Sequence, residues 1–272
     1  MSGCVDLWLC DLGATIDDAT RSCYLALLDP EERSRWQRLR ASHHRDRFLS
    51  SHALLRSVLA GYLGREPGAL RFVHGKYGKP SLEPDAGASA ALSFNLSHSG
   101  GRALLAVCRD GGALGVDVER WRADRRFAAL ARRNFAPEEQ QALDAMSGSE
   151  LERAFYRIWT LKEAYVKARA AGLSMPLQGF LFRFGAGGAL SLAVRPGADA
   201  RPGRWACAGF ELPGGYSAAV VHECPEEQGA GPGPRWHAAS PLRSWRPIEV
   251  PTLWSTPGVI PSSRGPFAGS VG

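Results

Sequence analysis

No apolar run in this 272-residue sequence approaches the ~20 residues that a membrane-spanning helix needs, so no helical membrane anchor is expected. The opening stretch, MSGCVDLWLCDLG, has no basic region ahead of its short apolar run, which argues against a secretory leader. Cysteine is sparse. Cys4, Cys10, Cys23, Cys108, Cys207 and Cys224 form no CxxC pair, and none stands at zinc-finger spacing from a histidine. Reduced thiols of a cytoplasmic protein are expected, not a disulfide framework. Also lacking are a GxxxxGK[ST] loop, a GxGxxG turn after a strand and a GxSxG elbow. Nor is there a dense basic block of the kind that marks nucleic-acid binding, so no nucleic-acid partner is expected.

What is present fits a globular chain, with 44% hydrophobic and 22% charged residues. The net charge is +6, and four arginines against three glutamates from Pro225 onward leave +5 on the first 224 residues. That excess favours an acidic partner or a phosphorylated ligand. Nine of the 18 prolines lie at or after Pro225, in a stretch such as QGAGPGPRWHAASPLRSWRP that sustains neither helix nor strand periodicity. Residues 225–272 are therefore expected to be a disordered tail whose removal leaves activity largely unchanged. Within the body, DPEER at Asp29 recurs as APEEQ at Ala136. HALLRSVLAGYLG from His52 recurs as EAYVKARAAGL from Glu163, and SGGRALLAV from Ser99 as PGGYSAAVV from Pro213. The offsets, 107, 111 and 114, are nearly constant and the order is shared. Two similar α+β halves, 1–112 and 113–224, are expected to form a pseudo-dimer with a ligand cleft between them. Helices are expected over 30–63 with a break near 41–44, over 137–146 and over 150–171. Strands joined by glycine turns are expected through 91–120, and a hairpin across Gly185 to Gly188.

Several stretches carry chemistry. In GVDVER, Asp117 and Glu119 alternate with Val116 and Val118, so a strand places both carboxylates on one face. Either that face is solvated, or a cation compensates it. In FYRIWTLKEAYVKARAAGL, Glu163 lies four residues after Trp159 and four before Lys167, on one helix face. An exposed Glu–Lys pair satisfies that spacing. So does a third carboxylate for a magnesium site, completed by water and a substrate phosphate. Spacing alone does not bring Glu163 to the other two. FNLSHSGG sets Ser97 and His98 before a glycine pair, where backbone amides can approach an anion. YGKP puts Lys79 on a tight turn between Gly78 and Pro80, and RSRWQRLRASHHRDRF carries Arg35 and Arg47, which suit phosphate or plain solvent exposure equally.

FNLSHSGG, LGVDVER and FYRIWTLKEAYVKA, in that order and separation, closely resemble the Sfp-type 4′-phosphopantetheinyl transferases. The likeness runs from LDPEER to AAVV and excludes the tail. It implies a pseudo-dimeric monomer that transfers the phosphopantetheine arm of coenzyme A to a serine of an apo carrier protein, releasing adenosine 3′,5′-bisphosphate. On that pattern Asp117, Glu119 and Glu163 hold Mg²⁺, and Glu163, directly or through water, takes the serine proton. Lys167 lies by a phosphate, Ser97 and His98 contact the cofactor's phosphates, Gly78, Lys79 and Pro80 lie nearby, and Arg35 and Arg47 hold the 3′-phosphate end. The implied partners are acidic carrier domains of peptide, polyketide or fatty-acid synthases, as in secondary metabolism. Phe48 stands where some relatives have a hydroxyl residue. A pyrophosphohydrolase using the same carboxylates and a silent carrier-binding module are the competing readings.

Overall fold

The computed structural model describes residues 5–83, 92–123, 126–195, 204–224, 233–242 and 244–256. The first half runs β1 (Asp6–Asp11), α1 (Asp18–Leu27), α2 (Pro30–Arg38), α3 (Ser42–Leu63), β2 (Phe72–His74), β3 (Pro80–Leu82), β4 (Ser93–Ser99) and β5 (Arg102–Cys108). The second runs β6 (Leu114–Arg120), α4 (Phe127–Asn134), α5 (Pro137–Asp144), α6 (Gly148–Ala168), β7 (Phe180–Phe184), β8 (Leu190–Val194), β9 (Trp205–Leu212) and β10 (Tyr216–Glu223). Strand order repeats with the sequence: β1-β5-β4 in one sheet and β6-β10-β9 in the other. The fold is α+β.

Period-two alternation gives each sheet two apolar faces. Leu7, Leu104 and Ala106 of the first sheet meet Val116, Val118, Ala218 and Val220 of the second in a shared core. Trp8, Leu105 and Val107 turn the other way, onto Leu54, Leu55 and Leu59 of α3. Ala219 and Val221 turn onto Leu161, Ala164 and Tyr165 of α6. The layers are therefore helix, sheet, sheet, helix. Each half also locks a fully buried cation against the third residue of its proline-started helix. Arg56 pairs with Glu32 at 2.7 Å and donates to the Leu70 carbonyl at 3.0 Å. Lys162 pairs with Glu139 at 2.8 Å and donates to the Leu177 carbonyl at 2.8 Å. Burial makes such pairs costly to break, because either partner alone would be an uncompensated charge.

Of the C-terminal segment, residues 233–242 and 244–256 are not a disordered tail. Strand β11 (Arg235–Ser240) lies parallel to β1, β12 (Ser244–Ile248) extends the same sheet, and β13 (Trp254–Ser255) pairs with β9 of the other. Periodicity is hidden there by proline, yet tryptophan anchors the segment. Trp236 is 4% exposed and meets Phe210 edge-on at 4.9 Å. The Arg157 guanidinium lies 3.6 Å from the Trp254 ring centre. Arg235 and His237 converge on buried Asp6 of β1, at 2.8 and 3.0 Å. Proline sits in an edge strand, at Pro247 in β12, the place in a sheet where it is tolerated. Residues 257–272 lie outside the described residues. Cys10, Cys23, Cys108, Cys207 and Cys224 are free thiols, and Cys4 lies outside the described residues. Among the described residues no helix is long and apolar enough to cross a membrane.

Candidate active site at the seam between the halves

Strands β4 and β6 are edge strands of different sheets, and side chains join them. Asn95 Oδ1 accepts from the Val116 amide at 2.8 Å, Ser97 Oγ donates to Asp117 Oδ1 at 2.8 Å, and Ser99 Oγ donates to Glu119 at 2.6 Å. Alternate residues of β4 thus stitch the seam, while Leu96 and His98 point the other way. The same alternation on β6 turns Asp117 and Glu119 toward α6. There Gly115 is indispensable: a Cβ would stand 2.0 Å from the Ala164 carbonyl oxygen and 2.4 Å from the Ala168 nitrogen. The absent side chain lets α6 lie directly on β6.

That contact brings the helix residues to the strand. Lys167 Nζ donates to Asp117 Oδ1 at 2.6 Å and to Ser97 Oγ at 3.0 Å. Burial, and then the nearby Asp117 and Glu119 carboxylates, raise the Glu163 pKa above the ordinary glutamate range, against the lowering effect of Lys167. The three carboxylates therefore share one electrostatic neighbourhood. Asp117 is 3% exposed, and its Oδ2 is buried without a hydrogen-bond partner. Oxygen donors of this kind suit a hard divalent cation. Among the described residues, however, no three acidic, histidine or cysteine side chains close around one point at metal-ligating distance. Lys167 occupies Asp117 Oδ1 instead.

Two clefts flank the seam and share Gly78, Pro80 and Leu96 in their walls. The first, of about 580 Å³, is lined by Arg35, Arg47, His98 and Arg122 among others. The second, of about 550 Å³, is lined by Glu163 and Lys167 with Leu96, Val166, Met175 and Leu177. In the first, Arg35 lies 5.8 Å from the Phe48 ring, which stacks on His52 at 3.8 Å, so Phe48 supplies a platform where a hydroxyl was the alternative. His98 is solvent-accessible, yet the protein packed around it, and then Lys167 and Arg47, hold its pKa below the usual imidazole value.

Lys79 lines the second cleft, with its ammonium bonded to backbone. Its ammonium donates to the Leu114 carbonyl at 2.7 Å and the Lys167 carbonyl at 2.9 Å, and burial lowers its pKa to about 8. It fastens the β2–β3 turn to the second half, while Gly78, at φ +78°, gives the turn its left-handed residue. Arg122 escaped sequence reasoning because it follows the GVDVER motif without belonging to it. Nothing in its own spacing marks it.

Model families match both halves. The 4′-phosphopantetheinyl transferase superfamily domain covers residues 113–221, and the 4′-phosphopantetheinyl transferase N-terminal domain covers residues 17–110. HetI of Nostoc sp., a 4′-phosphopantetheinyl transferase, is 40% identical over 55% of this chain and 62% of its own length. A putative 4′-phosphopantetheinyl transferase of Synechocystis sp. is 35% identical over 62% of this chain and 65% of its own. The chain thus spans less than two thirds of these two relatives. The 4′-phosphopantetheinyl transferase Sfp of Bacillus subtilis is 30% identical over 63% of this chain and 73% of its own length. With both halves matched and nearly three quarters of that last relative covered, this chain belongs to the 4′-phosphopantetheinyl transferase superfamily.

Proposed function

We propose that this protein transfers the 4′-phosphopantetheine group of coenzyme A to a serine of an apo carrier protein, releasing adenosine 3′,5′-bisphosphate. The observation that carries this reading is the adjacency of an arginine-lined cleft to a cleft holding Glu163 and Lys167, across one shared wall. The phosphorylated nucleotide end suits the first cleft, and the reacting phosphorus lies where the two meet. The serine oxygen forms a bond to the β-phosphorus, the bond to the departing adenosine bisphosphate oxygen breaks, and the serine proton passes to Glu163, directly or through water. A raised pKa makes Glu163 a stronger base than a solvated glutamate. Lys167 neutralises Asp117 and stands ready beside a phosphate, and His98 donates from the opposite wall. Asp117, Glu119 and Glu163 are the residues that would hold Mg²⁺. When bound, that ion screens the pyrophosphate charge and stabilises the leaving group. The +5 charge of the first 224 residues favours encounter with an acidic carrier surface of a peptide, polyketide or fatty-acid synthase. The protein acts as a cytoplasmic monomer in this reading.

Mass spectrometry of a panel of apo carriers incubated with the protein, coenzyme A and Mg²⁺ tests it. One carrier is expected to gain the phosphopantetheine mass, and Glu163→Gln is expected to slow that gain by about 10²–10⁴-fold. Rapid hydrolysis of coenzyme A without carrier would instead make the protein a pyrophosphohydrolase.

A further inference from the structure

The cationic cleft is built mainly from the first half, through α2, α3 and the end of β4. Arg122 is an exception, because it enters the lining from the second half just beyond β6. Its approach is fixed on both sides of the seam. Trp121 donates its amide to the Gly215 carbonyl at 2.8 Å and its indole nitrogen to Ser217 Oγ at 2.9 Å, which pins the chain one residue ahead. Opposite, Gly100 has φ +58°, and a Cβ there would lie 2.7 Å from the Tyr216 hydroxyl and 2.8 Å from Arg120 Cδ. The β4–β5 turn is therefore pressed against the end of β6, and Arg122 emerges beside Ser99 and Gly100.

Charge accounting separates this guanidinium from others nearby. Arg56 is committed to Glu32 and Asp29, and Arg45 to the Leu39 carbonyl at 2.7 Å and the Trp36 ring. Among the described residues, Arg47 and Arg122 have no carboxylate or carbonyl partner, and Arg35 has only the Phe48 ring. Asp29, Glu31 and Glu32 also line this cleft, but Asp29 and Glu32 are committed to Arg56, which leaves three guanidiniums against Glu31, and an anion with several phosphate oxygens relieves that cationic excess.

We propose that Arg122 is a positioning residue that holds a phosphate of coenzyme A from the second half, so that the bound nucleotide is gripped across the seam. The inference rests on the transferase reading and adds a residue to it. Calorimetric titration of the full chain with coenzyme A, without carrier, is the direct test. Arg122→Ala is expected to weaken binding about tenfold, the scale of one charge-assisted contact, and Arg122→Lys to recover part of the loss. In turnover, the KM for coenzyme A should rise more than kcat falls, as expected for lost ground-state binding. Repeating the titration with 3′-dephospho-coenzyme A assigns the contact. A loss that persists places Arg122 on the pyrophosphate, and a loss that vanishes places it on the 3′-phosphate. Unchanged coenzyme A affinity in Arg122→Ala, or a rise confined to the KM for the carrier, overturns the proposal. If the wild-type chain binds no coenzyme A, the transferase reading fails first and takes this inference with it.

Discussion

Asp117 presents its two oxygens to opposite surroundings, Oδ1 held by Ser97 and Lys167, Oδ2 buried and unpartnered. Beside it, Glu163 ionises against burial and two like charges. A group whose folded pKa is raised stabilises the fold fully below its unfolded pKa, and that stability is lost as pH rises through the folded pKa. In chelator at neutral pH, Glu163→Gln is therefore expected to melt higher than the wild type, with the gap shrinking as the pH falls and the wild-type carboxyl takes up its proton. Added Mg²⁺ should raise the wild-type melting temperature more than that of the variant. Thermal unfolding with and without the ion measures both. A wild type that melts higher than the variant in chelator would show that the repulsion is already relieved. At this scale strand alternation put Asp117 and Glu119 on one face and helical spacing put Glu163 beside Lys167, but only the family resemblance joined the two pairs into one site. Lys79 and Arg122 were not legible in the same way. Which carbonyl or cleft a long cationic side chain reaches depends on the packing of distant elements.

Helix α6 and strand β6 illustrate how a backbone position governs chemistry. Gly115 leaves room for helix backbone where any side chain would intrude. Gly115→Ala is expected to cost about 3 kcal/mol, the upper end of an overpacked core, and to move Glu163 away from Asp117. Chemical denaturation reads the first effect, and carrier labelling under conditions where the variant remains folded reads the second. Full labelling with full stability would mean that α6 does not rest on this contact. Elements with strong periodicity were readable in advance. The break expected near 41–44 lies slightly earlier, at 39–41 between α2 and α3, and the hairpin through Gly185 to Gly188 joins β7 to β8. Helices α1 and α4 were missed, because each is short and its apolar stripe is thin: Thr20 and Tyr24 are the buried residues of α1, and Phe127 and Ala131 those of α4. Strands β11 to β13 were missed because proline masks alternation, while burial is carried by a few tryptophans.

Across the whole molecule, the C-terminal strands join both sheets, and Trp236 enters the core between them. Ending the chain at Cys224 is therefore expected to lower stability by more than ~3 kcal/mol, the scale of losing one large core aromatic. Denaturant unfolding of the truncated and full chains compares them directly. Equal stability would return the segment to the status of an appendage. The two-half organisation was visible in the repeated motifs, since each half needs the same helix start, buried helix and glycine turn. The clasp that closes them was not, because nothing in the repeat calls for it.

Duplication would ordinarily supply two equivalent grooves. Trp8 faces Leu105 as Asp117 faces Ala219, and Leu105 and Ala219 are counterparts in the repeat. Where the second half sets an acid, the first sets an indole, and the edge beside it is occupied by β11 with His237 stacked on that indole at 4.3 Å. The second half keeps a groove lined by Glu163 and Lys167 while its twin is mortared shut, so the inherited symmetry is broken into one rigid face and one where ionisable side chains gather.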